Sequence, residues 1–356
     1  MLGLYIHIPF CKSKCKYCGF FSISNFDTDI VKNYLHAIEK ELSVYTDYLF
    51  DTIYIGGGTP SVLDYDELEN LLKAIQKLNL KKLKEFTFEA NPESIDETKI
   101  KILKDCGVSR ISIGVQSLDN NVLQFLGRIH QVKDVYTCIY FLKKHNFNFN
   151  VDVIFDIPTV SYKKIYNTLT KLCDLNPNHI SAYSYSYDTA FLSEYKGDMK
   201  SHLIEIVDFL KDRGYHRYEI SNFAKKGYES LHNITYWKMG DFIGVGAAAH
   251  SMKNLKNCRV RYSHPAEVKR YIENSFCFDN IEIIRDEKEI LLENLVFGLR
   301  LTSGVELEIF KKLDILDLLS YLIKKGYLEN NEDRVCLTKK GTLFLDYVQE
   351  YLYSNS

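Results

Sequence analysis

Before residue 188, a short apolar, β-branched or aromatic run gives way again and again to an amphipathic stretch. This βα repetition leaves few architectures open, because parallel strands joined by helices must share a sheet whose outer face the helices cover. The expected strands are residues 4–8, 52–55, 85–90, 110–115, 150–155 and 179–187. Helix signals fall between them: Asp64 precedes Leu68, Leu71, Leu72 and Ile75, and Asp96 precedes Ile100 and Leu103, with Gly107 behind. Six units fall short of a closed eight-unit barrel. The expected fold class is therefore α/β, an open (βα)6 partial barrel.

Successive strand residues point to opposite faces. In the first strand Leu4, Ile6 and Ile8 oppose Tyr5 and His7; in the fourth, Ile111, Ile113 and Val115 oppose Arg110, Ser112 and Gln116. The fifth separates Val151, Val153 and Phe155 from Asp152 and Asp156. A packed small barrel is apolar inside as well, so this inward polarity predicts a lumen that holds a polar ligand.

Past Tyr187 the rhythm fades. A further strand over 217–221 and a loop-rich stretch to about Asn280 are expected. From Glu287 a helix with Leu291, Leu292, Leu295 and Leu299 leads into a further helix, a small hairpin and a last helix over 338–352, a mostly helical order like a winged helix. The expected division is residues 1–190, 191–285 and 286–356. A net charge of −2 with no basic stripe argues against nucleic-acid binding, and the last module is expected to serve packing or partner contact.

Nine cysteines, three clustered and the others scattered, do not form a disulfide framework and suit a reducing, cytoplasmic compartment. The first residues carry no basic leader, and no apolar run approaches the roughly 20 residues that span a bilayer, so integral membrane insertion is not expected.

Cys11, Cys15 and Cys18 offer three thiolates on one loop directly after the first strand. They suit an iron–sulfur cluster with one iron left open to a small molecule, or a zinc site with strand-bound His7 as the fourth ligand; buried inert thiols are the third option. The Gly56-Gly57-Gly58-Thr59-Pro60 run lets backbone approach a ligand, yet is neither a Walker loop nor a dinucleotide fingerprint and alone is as much a turn as a site. Glu89 can bind an amino group, Asp152 ribose hydroxyls and Arg128 a carboxylate, while Gln116 closes the fourth strand. Each is singly as consistent with an ordinary surface residue. Their convergence at strand carboxyl ends favours a site.

Taken together, Tyr-Ile-His-Ile-Pro-Phe-Cys-x3-Cys-x2-Cys from Tyr5, the Gly-Gly-Gly-Thr-Pro loop, Phe-Glu-Ala-Asn-Pro, Gly-Val-Gln-Ser and His-Asn-Ile-Thr-Tyr-Trp from His232 resemble the radical S-adenosylmethionine superfamily in its coproporphyrinogen-dehydrogenase-like, HemN/HemW branch. The resemblance implies that Cys11, Cys15 and Cys18 ligate a 4Fe-4S cluster whose open iron takes the amino and carboxylate groups of S-adenosylmethionine. It implies cofactor contacts for Tyr5, Tyr17, Gly57, Gly58, Thr59, Glu89, Gln116, Arg128 and Asp152. Electron transfer into the sulfonium would then generate a deoxyadenosyl radical.

Two activities accompany that branch: oxygen-independent coproporphyrinogen III oxidation, and HemW-type chaperoning of haem to acceptor proteins. Enzyme members carry a further cysteine two positions after the third, where this chain has Phe20, and a longer segment than the ten residues ahead of Cys11. Both departures favour the chaperone. The resemblance further points to the His232 motif as a haem region; imidazole is a good axial ligand and Tyr236 with Trp237 can flank a flat ring, Tyr218 and His250 being neighbours on weaker grounds, while a lone histidine is more often a structural hydrogen-bonding residue. At Phe155-Asp156-Ile157-Pro158 the chain departs from both groups, which commonly have glycine at the aspartate.

Overall fold

The computed structural model describes residues 1–158, 160–185 and 201–356. Six parallel strands stand in sequence order: β1 (Leu2–Ile8), β2 (Thr52–Gly57), β3 (Glu85–Ala90), β4 (Arg110–Gln116), β5 (Asn148–Phe155) and β6 (His179–Ser184). Between them run α1 (Thr28–Leu42), α2 (Tyr65–Gln76), α3 (Glu97–Asp105), α4 (Asn120–Phe125), α5 (Val132–Lys144) and α6 (Tyr162–Asp174). This is the expected partial barrel. The sixth strand stops at Ser184, and the expected residues 186–187 lie outside those described.

Local chemistry starts the helices where expected. Asp64 accepts from the Glu67 N–H while Glu67 accepts from the Asp64 N–H, a reciprocal capping box for α2. Asp96 caps α3, and Gly107, at φ +87°, lets the chain turn out of it. Outward strand residues such as Leu4, Ile6, Ile53, Phe88, Ile111 and Val151 are buried against Leu35, Ile38, Leu72, Ile100 and Leu142 of the helices in one continuous core.

Parallel register stacks the inward residues in polar layers. Tyr54, Thr87 and Arg110 stand level; above them Glu89, Ser112, Asn150 and His179; above those Gly114, Asp152 and Ser181. Layers two residues apart lie about 6.6 Å apart along the strands.

The sheet does not end with the barrel. In place of one strand over 217–221, two short antiparallel strands, β7 (His216–Arg217) and β8 (Asn222–Ala224), extend it beyond β6. The stretch expected to be loop-rich supplies β9 (Asp241–Val245), parallel to β1, followed by antiparallel β10 (His250–Leu255), β11 (Cys258–Ser263) and β12 (Asp279–Ile284). Here β11 buries Arg259 and Ser263 while β12 exposes Ile281 and Ile283, so apolar patterning gave little sign of these strands.

The C-terminal module has its own core of Leu295, Leu299, Phe310, Leu322, Val335, Val348 and Leu352. It is mostly helical, with a three-stranded sheet of β13 (Val305–Glu306), β14 (Leu328–Asn331) and β15 (Arg334–Leu337). The expected last helix is two, Lys339–Leu343 and Leu345–Asn355. Arg259 of β11 ties the module to the sheet, donating to Glu293 at 2.5 Å and to Asn294 at 2.7 Å. No helix among the described residues is long and apolar enough to cross a membrane.

Candidate functional site: a thiol-rimmed polar lumen

The loop after β1 is stitched in place by backbone. Cys11 N–H donates to Ile23 at 3.0 Å, Ile23 N–H to Pro9 at 2.7 Å, and Lys16 N–H to Leu126 at 3.2 Å. Gly58 and Thr59 N–H groups donate to Ile8 and Phe10 at 2.9 and 2.8 Å, clamping the glycine run beneath the loop. Glycine is needed there: a Cβ on Gly58 would stand 2.8 Å from Phe10 O and 3.0 Å from Cys11 Sγ. Gly57 sits at φ +113°, with the His7 ring 2.7 Å from where its Cβ would be.

The three thiols border the mouth of one cavity of about 690 Å³. No three His, Cys, Asp or Glu side chains among the described residues converge as ligands of a single ion. Cys11 Sγ lies 3.4 Å from Thr59 Oγ1, and burial pushes its thiol up against the opposing pull of that hydroxyl. Arg128 donates to Cys15 Sγ at 3.5 Å, to Asn91 Oδ1 at 2.5 Å and to Gly114 O at 2.8 Å. All nine cysteines are free.

Below the thiols, Tyr54 donates to Glu89 at 2.6 Å and the Gly57 N–H donates to the same carboxylate at 3.2 Å. Burial still pushes the Glu89 carboxyl up to about 7, with Tyr54 opposing and the Asp152 charge adding to the rise. Asp152 is also raised by burial, opposed by Asn150, which donates to it at 2.7 Å. Tyr17 is held up chiefly by burial, with Arg128 opposing. Gln116 ends β4 at φ +63°, where the register slips. Non-glycine strain of this kind concentrates at functional sites.

Of the residues singled out in the sequence, Cys11, Cys15, Cys18, Tyr17, Gly57, Gly58, Thr59, Glu89, Gln116, Arg128 and Asp152 all border this one cavity. Tyr5 does not: its hydroxyl faces His7 Nδ1 at 3.0 Å and its ring leans on Tyr54. His232 does not either. It is buried on the helix Leu231–Trp237, with Nδ1 2.8 Å from Thr52 Oγ1, Nε2 2.7 Å from the Tyr236 hydroxyl, and its ring stacked on Tyr54. Tyr236 packs on His232 and Phe242, and Trp237 lies under Arg300 at 4.2 Å, so these two rings face different neighbours. Tyr218 bonds His179 and the Ser230 N–H, and His250 is exposed on β10.

Residues without an individual role in the sequence reading also line the lumen: Tyr54, Asn91, Arg110, Ser112, Asn150 and Tyr183. Strand alternation already turned Arg110 and Ser112 inward; Asn91 needed the Arg128 contact to become visible. Phe20, 68% exposed, borders the mouth in place of the further cysteine. Asp156 adopts φ +54°, a backbone glycine enters freely, and accepts from the His202 ring at 2.7 Å. That contact accounts for an aspartate at a position suited to glycine.

Residues 5–172 match the family described as the radical SAM superfamily, and residues 286–344 the HemN C-terminal domain. The chain is 35% identical to "Heme chaperone HemW" of Lactococcus lactis over 95% of its length and 93% of the relative's. It is 35% identical to the protein of that name from Bacillus subtilis, covering 96% of this chain and 97% of the relative, and 30% identical to that of Escherichia coli, covering 98% and 97%. The fold matches the solved coproporphyrinogen III oxidase (HemN) of E. coli with a TM-score of 0.81 at 22% identity, over 99% of this chain and 89% of that one.

An open βα barrel with a thiol-rimmed lumen and that C-terminal domain defines a member of the radical SAM superfamily. Within it, the near full-length identities show that the chain belongs to the HemW family.

Proposed function

We propose that this protein is a haem chaperone, carrying a 4Fe-4S cluster and S-adenosylmethionine and passing haem to acceptor proteins. The observation that carries the reading is the single cavity on which three thiols, two carboxylates and Arg128 converge, in a chain whose relatives are named haem chaperones. The donor type suits the group: an iron–sulfur cluster takes cysteine sulfurs, three of which stand on one loop, and the crowded Gly57 and Gly58 leave no side chain in the way.

Cys11, Cys15 and Cys18 would hold the cluster, which when bound and reduced supplies an electron to a sulfonium ligand. Around it Glu89 would receive an amino group, Arg128 a carboxylate, and Asp152 with Gln116 ribose hydroxyls, while Thr59, Gly57 and Gly58 present backbone and hydroxyl groups and Tyr17 closes the side. Tyr5 supports this set through His7 and Tyr54.

His232 enters this reading as a positioning residue. Its two ring nitrogens are both taken by Thr52 and Tyr236, and burial pulls its pKa down to about 3, so ligation of iron would cost one of those bonds. Replacing His232 by alanine is expected to lower stability while leaving the position of the haem Soret band unchanged. A shifted band would return His232 to the role of ligand.

The chaperone reading is tested against its enzymatic alternative by giving anaerobically reconstituted protein coproporphyrinogen III, a reductant and S-adenosylmethionine, beside a haem titration. Saturable haem binding without protoporphyrinogen IX is expected. Sustained formation of protoporphyrinogen IX would make the protein an oxidative decarboxylase instead.

A further inference from the structure

Arg110 opens β4 and reaches into the floor of the lumen, 3% exposed. Among the described residues its side chain has no ion pair and no hydrogen-bond partner, and its Nε is fully buried and unsatisfied. An unpaired buried guanidinium is costly, because nothing replaces the water it has lost. Glu89 and Asp152 feel the Arg110 charge but form no ion pair with it, and they accept from Tyr54 and Gly57 and from Asn150 respectively. The cavity that Arg110 borders is also bordered by Asn233, whose carboxamide takes no partner among the described residues, and by Asn150, Ser181 and Ser221.

We propose that this floor is a carboxylate-binding subsite, with Arg110 gripping one carboxylate of a ligand and the Asn233 amide donating to it. The chemistry selects the class. A planar fork of N–H donors matches a carboxylate. With Glu89 and Asp152 one and two layers higher, a dianion such as phosphate meets more repulsion than a monoanion does.

The subsite is distinct from the position of Arg128. That guanidinium rests on Gly114, four residues along β4 from Arg110, or about 13 Å at the usual rise. It also gives the His-Asn-x-x-Tyr-Trp motif a division of labour. His232 packs on the inward face of β2 against Thr52 and Tyr54, and Asn233 faces the lumen.

The carboxylate can belong to a free small acid or to a propionate of haem, and one set of measurements separates them. Full-length wild type, Arg110→Gln, Arg110→Lys and Asn233→Ala are followed by thermal unfolding with propionate or inorganic phosphate, and by absorbance titration with haem and haem dimethyl ester. Propionate is expected to raise the wild-type midpoint, phosphate not to, and Arg110→Gln to abolish the effect, with Arg110→Lys retaining part of it.

If haem is the source, it binds at least about tenfold tighter than its ester, and Arg110→Gln erases that difference. If haem and ester bind alike, or neither binds, while propionate still protects through Arg110, the ligand is a free acid and the subsite stands apart from the haem reading. Should Arg110→Gln fail to fold, Asn233→Ala, which keeps the guanidinium, is expected to weaken the propionate effect by about threefold to tenfold. Wild type that gains nothing from propionate and does not distinguish haem from its ester would overturn the subsite. So would effects that survive both substitutions.

Discussion

Glu89 holds two hydrogen bonds in the lumen, yet its carboxyl stays protonated to about pH 7 in the folded chain and only to about 4.5 once unfolded. Between those values the folded state binds the extra proton, so stability falls as pH rises through the window, by about 3 kcal/mol in all. Glu89→Gln is expected to remove that slope. Urea unfolding of both proteins from pH 4.5 to 7.5, without added ligand, checks this, and parallel pH profiles would contradict it. His232 makes the opposite kind of contribution, through fixed bonds to Thr52 and Tyr236. His232→Ala leaves both hydroxyls short of a partner and a hole beside Tyr54, a loss of about 2–4 kcal/mol. An equilibrium unfolding curve unchanged by the substitution would show that the ring is not structural.

The glycine turn at the end of β2 and the loop after β1 behave as one element, since backbone bonds from Gly58 and Thr59 tie them together. Gly57→Ala puts a methyl against the His7 ring at a positive φ and is expected to destabilise by about 1–3 kcal/mol. Because it shifts the loop bearing Cys11, bound iron and sulfide per chain should fall as well, which metal analysis after anaerobic reconstitution reads directly. Full iron content in that variant would separate the two segments. Elements with strong periodicity were legible in the sequence: β1 to β6 and the caps Asp64 and Asp96 stand where the residues put them. Strands β9 to β12 were not, because β11 buries Arg259 and Ser263, β12 exposes Ile281 and Ile283, and the set joins the barrel through β9 pairing with β1, far off in the chain. The same holds within the site. Motif residues could be collected by type, but the lack of a partner for Arg110 among the described residues and the sealed environment of His232 depend on neighbours that only tertiary packing brings in.

At the scale of the whole molecule, barrel and C-terminal module are joined by a charged cluster that is largely buried. Glu293 takes Arg259 and Arg261 together, and burial pulls the Arg259 pKa down to about 10. Glu293→Ala leaves the buried Arg259 with only Asn254 and Asn294, and Arg261 with Glu282, and is expected to cost about 3 kcal/mol. Limited proteolysis should then release the module earlier than from wild type, and an unchanged digestion pattern would assign the joint to apolar packing. The module matters to the site through Arg300, which covers Trp237 at the end of the helix that carries Asn233.

The central proposal is that the three thiols bordering the polar lumen hold a cluster with one corner open to an added ligand. A Mössbauer spectrum of anaerobically reconstituted, isotope-enriched protein, recorded with and without S-adenosylmethionine, addresses this most directly. A cubane in which one iron changes its parameters when the ligand is added is expected. A spectrum without a cubane, or with every iron equally thiolate-bound and indifferent to the ligand, would contradict it.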